Sequence, residues 1–342
     1  MSTAVSLSPN WLEIDPDETA RKIESSIRFF VHSRLKRKGV VLGLSGGIDS
    51  SVVAALCVNA LDRSHVLGLL MPERECSDDS RRLGYLLAES LGIQTVLEDI
   101  TPTLEATGCY TRRDDAIRKL VPDFGPGHKC KLVVPDLASG ARYSLPSLVV
   151  ESPGGGLSKL RPSASVYLEI VAASNFKQRV RKMLEYYHAD RLQYAVAGTP
   201  NRLEFDQGFF VKNGDGAADL KPIAHLYKSQ VYQLAAYLKL PTEICQRPST
   251  TDTFSLAQSQ EEFYFSVPLR ILDLCLYGKN HGHSSRDIAE ATGLTVEEVE
   301  AICDGIDSKR RVTAYMHEPA LLAETIPEIA HVPAGNKHSP QQ

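Results

Sequence analysis

The 342-residue chain carries 38 basic and 42 acidic side chains, a formal charge of −4, and 43% hydrophobic residues. That balance excludes a disordered or fibrous polymer, and it makes a general nucleic-acid binder a poor fit, because such affinity rests on neutralising phosphates with Lys and Arg. The seven cysteines are scattered, odd in number and never spaced C-x-x-C, which argues against a disulfide framework or a zinc site and fits free thiols in a reducing compartment.

The stretch from Met1 to Trp11 lacks the basic start and apolar core of a signal peptide, and no apolar run approaches the ~18 residues of a membrane span. A cytoplasmic protein is therefore expected. Ile23, Ile27, Phe30 and Val31 recur at helical spacing, which predicts a helix over 15–37. Its basic end, Arg34 to Lys38 before Gly39, complements a helix dipole rather than marking a nucleic-acid patch. Val40–Leu44 reads as a buried strand, 45–51 as a glycine turn and Val52–Leu61 as a helix. Val66–Met71 is a second strand, Asp78–Leu91 a helix closed by Gly92, and Gln94–Leu97 a third strand. Such alternation specifies an α/β fold, a doubly wound parallel sheet with helices on both faces.

From 101 to 164 the alternation stops. Pro122, Gly125, Pro126, Gly127, Pro135, Pro146 and Pro153 to Gly156 punctuate this stretch, and short apolar pieces at Lys131–Val134 and Leu145–Val150 are suited to a hairpin. It reads as an insertion in a single domain spanning 1–330. Regularity returns with a helix over Ser165–His188, a fourth strand at Gln193–Ala197 and a helix over Tyr227–Leu240. Residues 245–261 are rich in Ser, Thr and Gln without apolar period and read as a mobile loop. Three short helices form a C-terminal helical segment before a polar tail at 331–342.

The chemistry concentrates first in Ser45-Gly46-Gly47-Ile48-Asp49-Ser50-Ser51. Glycines there let backbone N–H groups face an anion, the next helix adds its positive N-terminus, and the serines add donors. The lysine of a G-x-x-x-x-G-K-[ST] loop is absent. This S-G-G-x-D-S pattern resembles the PP-loop of the N-type ATP pyrophosphatases, in which the loop holds the pyrophosphate released on attack at the α-phosphate.

Further along, Gly198-Thr-Pro-Asn-Arg-Leu-Glu204 and Gly208-Phe-Phe-Val-Lys212-Asn-Gly-Asp215-Gly-Ala-Ala-Asp219 are similar to the corresponding stretches of the NAD synthetase family. So are Asn175-Phe-Lys-Gln-Arg179-Val-Arg181, Tyr227-Lys228, and Pro248-Ser249 through Asp252. The resemblance covers 40–100 and 165–312 in the family's order and leaves 101–164 outside. It implies a Rossmann-like, adenine nucleotide alpha hydrolase-like fold and ATP-dependent amidation of deamido-NAD, with release of AMP and pyrophosphate. It implies ATP contacts from Gly43, Leu44, Ser45, Gly46, Gly47, Ile48, Asp49, Ser50, Ser51, Thr199, Lys228 and Ser249. It implies deamido-NAD contacts from Asn175, Arg179, Lys212, Asp215, Asp219 and Lys309. Magnesium is implied at Asp49 and Glu204, and these two with Lys228 form the catalytic set. Ser308 stands where the family has His before Lys309, which loosens that match.

Physical reasons support part of this independently. Carboxylate oxygens suit magnesium, and Asp49 and Glu204 belong at the C-terminal edge of adjacent strands, where α/β sheets bind ligands. Lys228 fits neutralisation of charge at the transferred phosphate. Asp215, between Gly214 and Gly216, fits a turn-former equally well. Ammonia is the expected nitrogen donor, because the stretch before the first strand is too short for a glutaminase domain; a separate glutaminase subunit stays open, and the resemblance implies a homodimer. A different acceptor carboxylate, or a catalytically silent nucleotide-binding regulator, are the alternatives. The segment 285–300 scans like a helix-turn-helix, but Val296–Ala301 carries three glutamates and nothing to read base edges, so it reads as packed helices rather than a DNA reader. His281 and His283 have metal-like spacing without a further ligand nearby.

Overall fold

The computed structural model describes residues 10–134, 146–251, 253–324 and 326; the polar tail, Asp252 and Leu145 lie outside them. In chain order the strands are β1 (Val40–Gly43), β2 (Val66–Leu70), β3 (Gln94–Leu97), β4 (Lys129–Val133), β5 (Ser147–Glu151), β6 (Leu157–Leu160) and β7 (Ala195–Val196). The first seven helices are α1 (Pro16–Arg28), α2 (Ile48–Leu61), α3 (Asp78–Leu91), α4 (Thr101–Ala106), α5 (Cys109–Arg118), α6 (Ala164–Ser174) and α7 (Phe176–Leu192). The remainder are α8 (Arg202–Gln207), α9 (Lys228–Tyr237), α10 (Thr242–Gln246), α11 (Leu269–Asn280), α12 (Ser285–Thr292) and α13 (Val296–His317).

One sheet runs β3-β2-β1-β7, all parallel, and a second runs β4-β5-β6, antiparallel. Period-two alternation sends Val40, Leu42 and Val66 into a core shared with α1, α2 and α9, and Val41, Leu67 and Leu69 into one shared with α4, α5 and α7. The sheet is thus covered on both faces, as its unbroken apolar strands require. Helix α2 is buried nearly all round, which removes any polar stripe from its sequence.

Four elements differ from the sequence reading. The first helix widens after Arg28 into a π-helical stretch, Phe29–Arg34. The long helix expected over 165–188 breaks at Asn175, where the Ser174 hydroxyl donates to the Ile170 carbonyl at 2.8 Å; such back-bonding bends helices. Residues 101–118 form α4 and α5 where irregular chain was expected. Pro102 occupies the first turn of α4, Gly108 takes φ +71 between the two, and α5 buries only a few apolar residues, so its periodicity is faint. The last helix is long rather than short, with 22 residues.

The hairpin expected in the insertion is present, and its open edge is covered. The 255–262 segment runs beside β4: Leu256 N donates to Cys130 O at 3.1 Å, Cys130 N to Ser255 Oγ at 2.9 Å and Val134 N to Glu262 O at 3.0 Å. Gln258 adds a side-chain bond to the Leu132 carbonyl. The stretch expected to be mobile therefore carries the pairing that an exposed strand edge otherwise lacks.

A buried charge cluster ties these parts together. Lys177 Nζ donates to Glu73 Oε1 at 2.9 Å, Glu75 Oε2 at 2.7 Å and Thr253 O at 2.9 Å, joining α7 to the β2–α3 loop and to the strand-covering segment. Arg113 of α5 binds both Glu75 oxygens and the Tyr110 hydroxyl donates to Glu73. Burial opposes ionisation of Glu75, yet Lys177 and Arg113 hold its pKa down to about 2. Stability from this group is complete above its usual pKa of 4.5 and drains away as pH falls toward 2. Replacing Lys177 by Met leaves two buried carboxylates short of a cation and is expected to cost about 3–5 kcal/mol in chemical denaturation at pH 7. The loss should shrink when the titration is repeated near pH 3.

Candidate active site

β1 and β7 are neighbours in the sheet, and the chain leaves both at the same edge. After β1 the glycine loop turns into α2. Gly46 takes φ +70, and a Cβ there would stand 2.7 Å from the Ser80 carbonyl oxygen and 2.9 Å from Leu83 Cβ, so only glycine lets the loop lie this close to α3. Gly47 starts α2 without a side-chain cap, leaving first-turn N–H groups for an anion. Ser45 Oγ accepts from Gly47 N at 3.2 Å and pairs with Ser50 Oγ at 3.0 Å, which holds the loop's shape.

After β7 the chain forms α8, whose capping box is made by Asn201 and Glu204. Asn201 Nδ2 donates to Asp49 Oδ1 at 3.0 Å, and Asn201 N donates to Glu204 Oε2 at 3.2 Å. One buried amide residue thereby fixes both carboxylates. Lys228, first residue of α9, places Nζ 2.5 Å from Asp49 Oδ2. Burial works against its ammonium, but Asp49 and Glu204 more than offset this and its pKa lies above the ordinary lysine value. Glu204 is pushed the other way: burial first, then the Asp49 charge, raise its pKa to about 8, against Lys228, Asn201 and Gln260. Gln260 Nε2 donates to Glu204 Oε1 at 2.9 Å. Asp49, Lys228 and Glu204, separated by up to 179 residues in the chain, are thus a single cluster.

This cluster opens on a cleft of about 700 Å³. Of the expected ATP contacts, Gly43, Leu44, Ser45, Gly47, Ile48, Asp49, Ser50, Thr199, Lys228 and Ser249 line it; Gly46 and Ser51 do not. The Ser51 hydroxyl is turned back onto the Gly47 carbonyl at 2.8 Å. Of the expected dinucleotide contacts, Asn175, Arg179, Lys212, Asp215 and Lys309 line the cleft. Asp219 does not: its carboxylate accepts from Val196 N at 2.8 Å and from the Tyr186 hydroxyl at 3.3 Å, bracing β7. Asp215 Oδ1 accepts from Val211 N at 2.7 Å, so it shapes its turn while facing the cleft. Lys212 Nζ donates to the carbonyls of Tyr315 and Glu318. Lys309 is half-buried beside Tyr264 and Phe265, and desolvation lowers its pKa to about 8.

Sequence reasoning missed Asn201, although it sits inside the quoted motif, and the buried pair Lys182–Glu185, 2.5 Å apart on the cleft wall. The i, i+3 spacing of that pair was its only sequence signal. His281 and His283 are engaged as rings, stacked on Tyr277 at 3.9 Å and Trp11 at 4.2 Å. All seven cysteines are free thiols, and no helix among the described residues is long and apolar enough to cross a membrane.

The sequence model of the NAD synthase family matches residues 19–121 and 158–313. The chain belongs to the NAD synthase family. It is 56% identical to the NH(3)-dependent NAD(+) synthetase of Mesorhizobium japonicum over 93% of this chain and 99% of that one. It is 55% identical to that of Rhizobium meliloti over 94% and 96%. Among solved structures, an NH3-dependent NAD synthetase from Campylobacter jejuni aligns with TM-score 0.59 at 22% identity, covering 91% of this chain and all of that one. An NMN synthetase from Francisella tularensis aligns with TM-score 0.60 at 22% identity, covering 92% and all. At this identity the two structures speak for the shared NAD synthase fold alone. The family match skips 122–157, which lies inside the insertion expected at 101–164 and begins only after α5.

The raised pKa of Glu204 has a signed consequence. The folded chain keeps its proton up to about pH 8, whereas the unfolded chain loses it near 4.5, so this group subtracts stability as pH rises between those values. Glu204→Gln keeps one oxygen to accept from Asn201 N and turns its NH2 toward Gln260, whose unpartnered Oε1 can accept it, without that penalty. Thermal unfolding at pH 8 should show the variant melting a few degrees higher than the parent, an advantage that fades toward pH 5.

Proposed function

We propose that this chain amidates deamido-NAD to NAD with ATP and ammonia, through an adenylated intermediate, releasing AMP and pyrophosphate. The observation that carries the reading is the Lys228–Asp49–Asn201–Glu204 cluster at the mouth of a lysine-free glycine loop. Relatives more than half identical over nearly their full length are NH(3)-dependent NAD(+) synthetases, which supports the nitrogen source and product.

In the first step an oxygen of the nicotinate carboxylate attacks the ATP α-phosphorus, the bond to the β-phosphate bridging oxygen breaks, and pyrophosphate departs with that electron pair. The carboxylate is already ionised at neutral pH, so no base is needed. The glycine loop and the start of α2 receive the pyrophosphate, while Lys228 counters charge at the transferred phosphoryl group. In the second step the lone pair of ammonia attacks the acyl carbon, the acyl–phosphate C–O bond breaks, AMP leaves and the nitrogen sheds a proton. Ser249 and its segment cover the cleft and keep water from the acyl-adenylate.

Asp49 and Glu204 fit magnesium. They are half-buried carboxyl groups, and desolvation first, then the Asp49 charge, favours the protonated form of Glu204, a situation a divalent cation would relieve. Among the described residues no group of three or more His, Cys, Asp or Glu forms a metal cage, which suits an ion that takes one or two carboxylates and completes its shell with phosphate and water. When bound, magnesium supplies charge neutralisation of the triphosphate.

Arg179, Lys212 and Lys309 are assigned to deamido-NAD, with Asn175 and Asp215, and Thr199 to ATP. Asp219 serves from behind by holding β7. The chain acts as one synthetase domain over 1–330, in the cytoplasm, and pairs with a second copy of itself: Leu168 of α6 and Met183 and Tyr187 of α7 leave 61%, 57% and 59% of their surface exposed, apolar side chains that a homodimer would bury.

The decisive assay supplies ATP, magnesium, ammonium and deamido-NAD and follows NAD and AMP together; equal amounts of both are expected. Glutamine in place of ammonium should give no product unless a glutaminase subunit is added. AMP without NAD means that the acyl-adenylate is lost to water, and the absence of both products points to another acceptor carboxylate. Asp49→Asn is expected to reduce AMP formation by at least about a thousandfold while leaving the melting temperature nearly unchanged, and turnover near the parental rate sinks the placement of the metal.

A further inference from the structure

We propose that Arg247 binds the β- and γ-phosphates of ATP and the departing pyrophosphate, supplying from across the fold the cation that the glycine loop lacks. The inference rests on the adenylation reading above. The loop itself offers neutral donors only, the backbone of Gly47 and beyond and the hydroxyls of Ser45 and Ser50. Lys228, a second cation lining the cleft, is engaged with Asp49. A leaving pyrophosphate gains negative charge as its bond to the α-phosphorus breaks, and neutral donors alone meet that charge poorly.

Arg247 follows α10 and reaches back some 200 positions in the chain to the loop. Its Nη1 donates to the Gly46 carbonyl at 3.4 Å, and its Nη2 donates to Ser80 Oγ at 2.8 Å and to Ser77 Oγ at 3.4 Å. Every one of these partners is uncharged. Among the described residues no carboxylate forms an ion pair with Arg247, whereas its neighbours Arg81 and Arg82 are paired with Asp78, Asp79 and Glu243. Arg247 lines the same cleft as Ser45, Gly47, Ser50, Ser77 and Ser80.

The guanidinium is also held in place from its own side. Glu243 of α10 meets Arg82 of α3 at 2.6 Å, which clamps the short helix preceding Arg247 onto α3. The Arg247 side chain then lies between the start of α3 and the glycine loop that opens α2. Two helix N-termini and one unpaired guanidinium converge on the same space, and a planar fork of donors suits two adjacent phosphoryl oxygens better than an ammonium does. Arg247 is also two residues before Ser249, so occupation of the phosphate site and placement of the covering segment are coupled through one short stretch of chain.

The test uses the full chain carrying Arg247→Ala, Arg247→Gln and Arg247→Lys, with steady-state kinetics in ATP and in deamido-NAD, product inhibition by pyrophosphate, and calorimetric titration with inorganic pyrophosphate and magnesium. The Ala and Gln variants are expected to raise KM for ATP and weaken pyrophosphate inhibition by roughly tenfold to a hundredfold, the size of a lost charged hydrogen bond. KM for deamido-NAD should move less than about twofold, and Lys should restore part of the loss because charge returns without the fork. Values for ATP and pyrophosphate unchanged within about twofold in all three variants overturn the inference, as does an equal rise in KM for both substrates, which marks a merely structural role. A parent chain that forms no AMP overturns the adenylation reading instead; pyrophosphate that binds the parent and not the Ala variant sustains the Arg247 site even then.

Discussion

At the edge of the parallel sheet two half-buried carboxyl groups share a single ammonium, and the rest of the site is organised around that constraint. Burial first and the Asp49 charge second raise the pKa of Glu204, and Lys228 offsets only part of that. Each neighbouring element contributes something to this balance. Asn201 divides its amide side chain and its backbone between the two carboxylates. Gln260 donates to Glu204, and Asp273, itself buried on α11, accepts from the backbone N–H groups of Lys228 and Ser229 and so fixes the start of α9.

Much of this was legible in the sequence where the signal is local. The strands β1, β2 and β3 and helix α3 announced themselves by apolar runs and by Gly92, and α3 and β3 begin and end where the pattern places them. The glycine loop was legible because all its chemistry lies in seven consecutive residues. Asp49, Glu204 and Lys228 could be named from motifs, but their meeting could not, since it depends on β1 and β7 lying side by side. Asp219 shows the opposite limit. Its spacing within the motif points toward substrate, while the structure turns its carboxylate to the Val196 amide. A motif records that a residue matters without recording the direction of its side chain.

What stayed hidden was mostly non-local or faint. Helices α4 and α5 are short and polar on their outer faces, so their periodicity is weak. The 245–261 stretch has no apolar period because its order comes from hydrogen bonds to β4, more than a hundred residues earlier. Lys177 sits inside a quoted stretch that gives no sign of its burial, and it is one of the most deeply buried side chains among the described residues. No one-dimensional pattern distinguishes a solvated lysine from one enclosed by two glutamates.

The pairing of β4 with the 255–262 segment has a consequence for how this protein can vary. Residues 122–157, which carry β4 and β5, fall outside the family match, yet the segment they clasp leads directly to Gln260, which holds Glu204. A chimera that takes the covering segment from a relative without the hairpin would strand the Cys130 amide and strip the sheet of its border. A chimera that takes the hairpin alone would meet a segment with no matching donors. The two pieces are therefore one heritable cassette, able to change together and resistant to changing apart. Any remodelling of this cleft, by selection or by design, has to treat them as a single part.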